Sequence, residues 1–287
     1  MLTMAAACTD NSGPHLSSSF SKFIRCCRSS TPYTKNVKNC SKICPQDEIW
    51  SQIRQEAESD MKQDPLLSDL YRCAILSHSS LEGALSNYLA LKLRTDYVSS
   101  DALAAAFHKA LLEDAEIGRA VREDLAAVRE RDPACLSYVH CFLNFKGFLA
   151  CQAYRLAHKF WIDGRTAAAL LIQSRVSEVF AVDIHPGAEI GSGLVIDHAT
   201  GVVVGETAVI GDGVTILHNV TLGGTGKAGG DRHPKIGDGV LIGAGAKVLG
   251  NIVVRRNARI GAGAVVLKEV PEGATAVGNP ARIVGSR

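Results

Sequence analysis

The sequence predicts an α+β chain of two modules, an N-terminal α-helical domain followed by a left-handed parallel β-helix of hexapeptide repeats. An aliphatic residue returns at six-residue spacing from Ile184 to Val266, through Ile190, Ile196, Val204, Ile210, Ile216, Leu222, Ile236, Ile242, Val248, Val254 and Ile260. Small or aliphatic residues such as Ala188, Val214, Ala246 and Ala264 follow four positions later, with glycines between. Short strands joined by tight turns satisfy that pattern, and stacked coils bury the aliphatic column. Ahead of the repeat the apolar spacing is helical.

In chain order, residues 1–45 are basic and Ser/Thr-rich, with six Lys/Arg and one acidic residue, and lack the apolar centre of a secretory signal. This composition reads as a transit-peptide-like leader, most like a plastid one, with a disordered cytosolic tail as the alternative. Residues 46–181 form the helical module: Ile49, Trp50, Ile53 and Ala57 share a face, further helices are expected near 81–93, 102–112 and 117–128, and Asp64-Pro65 and Asp132-Pro133 punctuate them. Tyr138 to Trp161 reads as one long helix whose Phe142, Phe145 and Leu149 pack in the core, and Thr166 to Phe180 as another. Residues 182–270 are the β-helix, with an extended loop at 223–235, and 271–287 a C-terminal segment. Open ends and flat faces on a solenoid of roughly four coils predict an oligomer, a homotrimer or a dimer of trimers.

Composition excludes several classes. The leader leaves 25 of the 31 Lys/Arg and 28 of the 29 Asp/Glu to the rest of the chain, so the body lacks the basic stripe that nucleic acid demands. No apolar run approaches the roughly 18–20 residues of a membrane span. The nine cysteines all precede residue 152 and are irregularly spaced, which argues for reduced thiols rather than a disulfide framework.

The repeat breaks twice. A two-residue excess separates Ile196 from Val204 and contains His198; a fourteen-residue step separates Leu222 from Ile236 and contains Gly230-Asp231-Arg232-His233-Pro234. Irregular loops on a rigid frame are where binding and catalytic groups sit. Asp183 and the loop holding His198 approach one corner of the coil, where a carboxylate can fix an imidazole tautomer and leave the other ring nitrogen to take a proton from a hydroxyl. Arg232 suits a carboxylate gripped in bidentate fashion, and Asp132 or Asp197 an ammonium; together they would hold an amino acid zwitterion. The run Gly224-Thr225-Gly226-Lys227-Ala228-Gly229 fits a dinucleotide-binding pattern only by accident, because no βαβ unit surrounds it.

These residues resemble the serine acetyltransferases, hexapeptide-repeat acyltransferases, over roughly residues 46–285. The resemblance lies in Arg131-Asp132-Pro133-Ala134, Lys146-Gly147-Phe148, Val182-Asp183-Ile184-His185-Pro186, Asp197-His198-Ala199-Thr200-Gly201, Val204-Gly205-Glu206-Thr207-Ala208, the stretch from Asn219 to Lys235, and Gly278-Asn279-Pro280-Ala281-Arg282. Tyr138-Val139-His140-Cys141-Phe142 and the basic leader are similar to the plant branch. The resemblance implies acetyl transfer from acetyl-CoA to L-serine, giving O-acetylserine at the first committed step of cysteine biosynthesis, with no metal. It implies His198 as general base with Asp183 as its orienting partner, Asp132 and Asp197 at the substrate amino group, Arg232 and His233 on serine, and acetyl-CoA near Gly224, Ala244 and Ala262. It also implies inhibition by L-cysteine at the serine site. The family's tail, which docks in cysteine synthase (O-acetylserine sulfhydrylase), is missing from this sequence, which stops at Ile283-Val284-Gly285-Ser286-Arg287, so that complex is not expected of it.

Two other readings compete. Another hexapeptide acetyltransferase could act on a sugar or a different amine or hydroxyl, against which Asp132 and the Asp197-His198 pair argue. A scaffold or a carbonic anhydrase-like metalloprotein would need three inward histidines at coil spacing, whereas His198, His218 and His233 fall at differing repeat positions.

Overall fold

The computed structural model describes residues 47–226 and 229–284; the predicted leader lies outside the described residues. Helix α1 (Glu48–Gln63) starts where the Asp47 carboxylate accepts the Trp50 N–H at 3.2 Å and buries Trp50, Ile53 and Ala57. Asp64 ends it and caps the turn Pro65–Leu67 by accepting the Leu66 N–H at 3.1 Å. A short helix α2 (Ser68–Tyr71) runs into a π-helical turn, Arg72–Leu76. Helices α3 (Leu81–Leu93), α4 (Ser100–Glu113) and α5 (Ala115–Arg131) are capped by Ser80, Ser99 and Asp114, whose side chains satisfy amides otherwise left bare at a helix start.

The segment expected to be one helix from Tyr138 to Trp161 is two, α6 (Tyr138–Asn144) and α7 (Lys146–Ile162), separated by Phe145 in an extended conformation at φ −84°, ψ 98°. Asn144 is exposed and Lys146 half-buried, but single polar residues are ordinary on the outer face of a helix, so the pattern does not signal the break. Phe142 and Leu149 lie in the core as expected, while Phe145 is half-buried, its ring edge-on to His140 at 5.0 Å. Helix α7 is buried continuously from Phe148 to Ala157 and packs on α8 (Thr166–Phe180), which leads into the solenoid.

The polar residues of α7 tie the helices to the first coil. Arg155 grips the buried Asp124 of α5 through Nε at 2.9 Å and Nη2 at 2.8 Å, and Gln152 Nε2 donates to the same carboxylate at 2.9 Å. Asp124 also accepts the Leu194 N–H at 2.8 Å, and Arg155 donates to the Gly191 carbonyl at 2.8 Å. A buried ion pair offsets its desolvation only when its remaining polar positions are satisfied, as they are around this carboxylate.

The solenoid has three parallel faces. Sheet A holds β1 (Val182–Ile184), β4 (Val202–Val204), β7 (Thr221–Gly223), β10 (Lys247–Leu249) and β13 (Val265–Val266); sheet B holds β2 (Glu189–Ile190), β5 (Val209–Ile210), β8 (Lys235–Ile236) and β11 (Val253–Val254). Sheet C holds β3 (Val195–Ile196), β6 (Thr215–Ile216), β9 (Leu241–Ile242), β12 (Arg259–Ile260) and β14 (Thr275–Val277), with β15 (Arg282–Val284) added antiparallel. Parallel pairing thus continues past residue 270, where the six-residue spacing stops. The aliphatic residues stack in register: Ile184, Val204, Leu222, Val248 and Val266 form one column, each at most 3% exposed. Burying each side chain contributes about 1.5–3 kcal/mol. Where sheet B turns toward sheet C, the same turn position is held at positive φ by Gly193, Gly213, Gly239, Asn257 and Gly273, residue types that tolerate the left-handed region.

Candidate functional site

Chemistry-bearing residues gather at two different corners of the prism. Ile196, Ile216, Ile242 and Ile260 are in register, so His198, His218, Ala244 and Ala262, each two residues further on, form a column at the corner following sheet C. His198 and His218 lie equally far past Ile196 and Ile216, but counted back from Val204 and Leu222 it is Thr200 that matches His218, so the two rings are neighbours without sharing one repeat position. Their rings meet edge to face, 5.7 Å between centroids at 73°. The His218 Nδ1 atom is buried without a hydrogen-bond partner. Among the described residues, no three His, Cys, Asp or Glu side chains converge as metal ligands.

The two-residue excess gives this corner its shape. Gly201, at φ 76°, falls where the later coils carry Asn219, Gly245 and Gly263 at positive φ, and the excess just before it holds His198 and Ala199 at 56° and 59° as well. Each such residue costs about 1–2 kcal/mol, strain of the kind that rigid surroundings sustain at functional sites. The surroundings are evident. Gly201 N–H donates to Ala181 O and Asn219 N–H to Thr200 O, both at 2.8 Å, and Lys146 Nζ donates to Thr200 Oγ1. The first turn of α7 lies so close that a Cβ on Gly147 would sit 2.0 Å from the Ile196 carbonyl oxygen.

Asp132, Asp197 and His198 come together at this corner. The His198 side chain is 73% exposed, with Nε2 3.7 Å from Asp197 Oδ1. Burial pushes the Asp197 carboxyl above the usual carboxylate range; the charge of Asp132 adds to the shift, and His198 and His218 oppose it. Asp132 caps the C-terminus of α5 and accepts the Ala134 N–H at 2.8 Å. Beside it, Arg131 anchors the helix end by donating to Gly213 O at 2.7 Å, to Thr215 Oγ1 at 2.9 Å and to Gly193 O.

Asp183 does not touch His198 in this structure. Its carboxylate accepts from Gln173 Nε2 at 2.7 Å, and no hydrogen bond or ion pair joins it to His198. It does belong to the same corner, since β1 pairs with β4 and Gly201 N–H bonds Ala181 O. The competing partner is local: α8 places Gln173 within reach, which the repeat pattern could not reveal.

The second corner follows sheet A. Glu206 and Gly224 share its column, and the returning loop brings Arg232 and His233 against it. Arg232 Nη2 donates to Glu206 Oε2 at 2.7 Å, a contact that holds the Glu206 carboxyl below the usual range. His233 is 7% exposed and accepts the Thr207 N–H at Nδ1, 3.1 Å away; its ring lies on Gly205, whose added Cβ would be 2.1 Å from it. Burial and the neighbouring Arg232 lower its pKa. Burial also lowers the pKa of His185, with Glu206 and Asp183 opposing, and its ring meets Trp161 edge-on at 5.1 Å. Gly224 packs beside Arg232, so of the positions expected to meet acetyl-CoA only Ala244 and Ala262 stack with His198. Glu206 and His218 gain a place in the site that sequence reasoning did not give them; column arithmetic could have found His218.

The chain matches the family model for serine acetyltransferase, N-terminal, over residues 49–153, and that for the bacterial transferase hexapeptide (six repeats) over residues 233–268. It is 59% identical over 241 residues to serine acetyltransferase 3, mitochondrial, of Arabidopsis thaliana, covering 84% of this chain and 62% of that protein. To serine acetyltransferase 1, chloroplastic, of the same plant it is 60% identical over 241 residues, covering 84% and 77%. The chain thus spans less than two thirds of the first and about three quarters of the second. Soybean serine acetyltransferase complexed with serine superposes with a TM-score of 0.82 at 58% identity, over 84% of this chain and 100% of that one. Serine acetyltransferase from Brucella abortus strain S19 in complex with coenzyme A gives 0.82 at 51%, over 84% and 96%.

Proposed function

The chain belongs to the serine acetyltransferase family, and from that premise we propose that it transfers the acetyl group of acetyl-CoA to the hydroxyl of L-serine, giving O-acetylserine and CoA in the first step of cysteine biosynthesis. The observation that carries this reading is the column His198, His218, Ala244 and Ala262, an exposed imidazole heading a row of small residues beside the paired carboxylates Asp132 and Asp197.

His198 takes the serine proton as the hydroxyl oxygen attacks the thioester carbonyl; the tetrahedral oxyanion then collapses, and the CoA thiolate leaves with that proton. A placed base contributes about 10²–10⁴-fold, and holding both substrates together adds proximity. His218, one coil further along the column, is positioned to donate to the oxyanion. Asp132 and Asp197 receive the serine ammonium, whose charge offsets their mutual repulsion, and Arg232 grips the carboxylate with His233 beside it. Asp183 orients His198 once its carboxylate leaves Gln173. Acetyl-CoA lies along Ala244 and Ala262, with Gly224 contributed by the other corner.

The two groups of residues lie at different corners of one chain, which supports a homotrimer, or a dimer of trimers, in which one copy's His198 corner faces the next copy's Arg232 corner. Mixing inactive His198→Asn and Arg232→Ala chains through partial denaturation should then restore activity. L-cysteine keeps the ammonium and carboxylate of serine and competes for the same groups. The leader composition supports delivery to a plastid; a fluorescent protein fused behind residues 1–45 tests it.

Release of free CoA, followed with a thiol reagent and acetyl-CoA with or without L-serine, tests the function. Serine-dependent release that His198→Ala largely abolishes is the expected result; release without serine dependence would overturn the substrate, and full activity in the variant would overturn the base.

A further inference from the structure

Thr207, in the turn between β4 and β5, spends its polar atoms on the loop that returns 25 residues later. Its backbone N–H donates to His233 Nδ1 at 3.1 Å. Its hydroxyl oxygen accepts the backbone N–H of Arg232 at 3.1 Å and of His233 at 3.2 Å, and lies 2.9 Å from His233 Nδ1. Its carbonyl accepts from Lys235 Nζ.

The geometry decides which way the imidazole faces chemically. A backbone amide can only donate, so His233 Nδ1 must offer its lone pair to it, and a neutral ring then carries its proton on Nε2. The hydroxyl, its oxygen taken by two amides, has its hydrogen between Nδ1 at 2.9 Å and the Asp231 carboxylate, and neither choice asks Nδ1 for a proton. The other tautomer would set N–H against N–H, a ring turned over would set the Cδ2 hydrogen against the Thr207 amide, and the ring cannot slide, because Gly205 lies beneath it with no room even for a Cβ. Nε2 itself bonds to none of the described residues, although His233 is only 7% exposed.

We propose that Thr207 is a positioning residue that locks His233 as the Nε2–H tautomer, making that imidazole an obligate hydrogen-bond donor to an acceptor oxygen of the amino acid substrate. The proposal rests on the acetyltransferase reading for the identity of that substrate, but the tautomer does not. The site then holds two imidazoles of opposite sense, His198 offering a lone pair and His233 a proton, and it selects a ligand that presents an acceptor to the second.

Imidazole nitrogen shifts in histidine-labelled full-length protein at pH 8, with His233→Gln to assign the signal, read the tautomer directly. The expected result is a pyrrole-type Nε2 and a pyridine-type Nδ1 in the free protein; a pyrrole-type Nδ1, or an even mixture, overturns the lock. In the CoA-release assay, Thr207→Val, which keeps shape but loses the hydroxyl, should raise the KM for serine about tenfold with a smaller change in kcat. Thr207→Ser should restore it, and the Thr207→Val effect should vanish in a His233→Gln background. Equal effects in both backgrounds would make Thr207 a mere loop anchor and overturn the proposal. If serine-dependent release is absent altogether, the acetyltransferase reading fails while the nitrogen shifts still decide the tautomer.

Discussion

The two corners that carry the chemistry are built in opposite ways. At the His198 corner the chain itself is strained, with two successive residues at positive φ, and the restraint comes from outside, from the end of α7 pressed against the turn. At the His233 corner the backbone is relaxed and the restraint is internal, a hydroxyl and an amide of Thr207 together with the Arg232–Glu206 pair. On the proposed function, packing would place the base and hydrogen bonds would place the groups that grip the substrate. The first arrangement depends on the helical module; the second is complete within the solenoid.

That difference can be broken by substitution. The largest effect is expected at Asp124, away from both corners: Asp124→Ala leaves Arg155 charged and buried and should destabilise the protein by about 3–5 kcal/mol, read by urea unfolding. Because it loosens the helices, activity should fall in that variant well below its melting range, while the Arg232–Glu206 pair at the other corner stays in place. Next comes Gly147→Ala. Helix propensity alone favours alanine by about 1 kcal/mol, yet the added Cβ meets a carbonyl oxygen, so a net loss of about 1–3 kcal/mol with a disproportionate fall in kcat is expected. An alanine variant that is more stable and fully active would show that α7 does not set the height of the turn.

Smaller effects sharpen the other side. Glu206→Gln removes the partially exposed partner of Arg232 and should raise the KM for serine several-fold, with little change in thermal midpoint, as half-solvated ion pairs contribute little to stability.

The smallest expected effect is in pH dependence. Folded His185 and His233 titrate below the ordinary value of 6.5, mainly through burial. On acidification through 6.5 the unfolded chain therefore takes up protons that the folded chain refuses, and stability falls. The thermal midpoint should drop between pH 7.5 and the folded values, less steeply in His233→Gln; parallel curves for the two proteins would contradict this.

Much of this was legible in the sequence, for reasons specific to each part. A column repeats, so Ile184 to Val266 announces the three-faced solenoid, and the excess after Ile196 locates the strained turn. The helical caps at Asp47, Ser80, Ser99 and Asp114 follow from residue type. The break at Phe145 was hidden because its polar neighbours Asn144 and Lys146 also suit the outer face of a continuous helix. Asp183 was placed beside His198 by its corner and by the family resemblance, neither of which could foresee Gln173 reaching it from α8. Thr207 gave no signal, since its partners lie 25 to 28 residues away and are brought back by a loop rather than by the repeat.

Arg131 and Arg155 between them hold carbonyl groups of Gly191, Gly193 and Gly213, in the first two coils of a stack whose later coils, among the described residues, bond to their neighbours. Stacked repeats can in principle form and come apart from either end. Among the described residues the helical body clasps this one at its first coils, which gives it a direction. Amide exchange should be slowest around residues 182–216 and quicken coil by coil toward residue 277, so that opening begins at the far end and reaches the catalytic turn last.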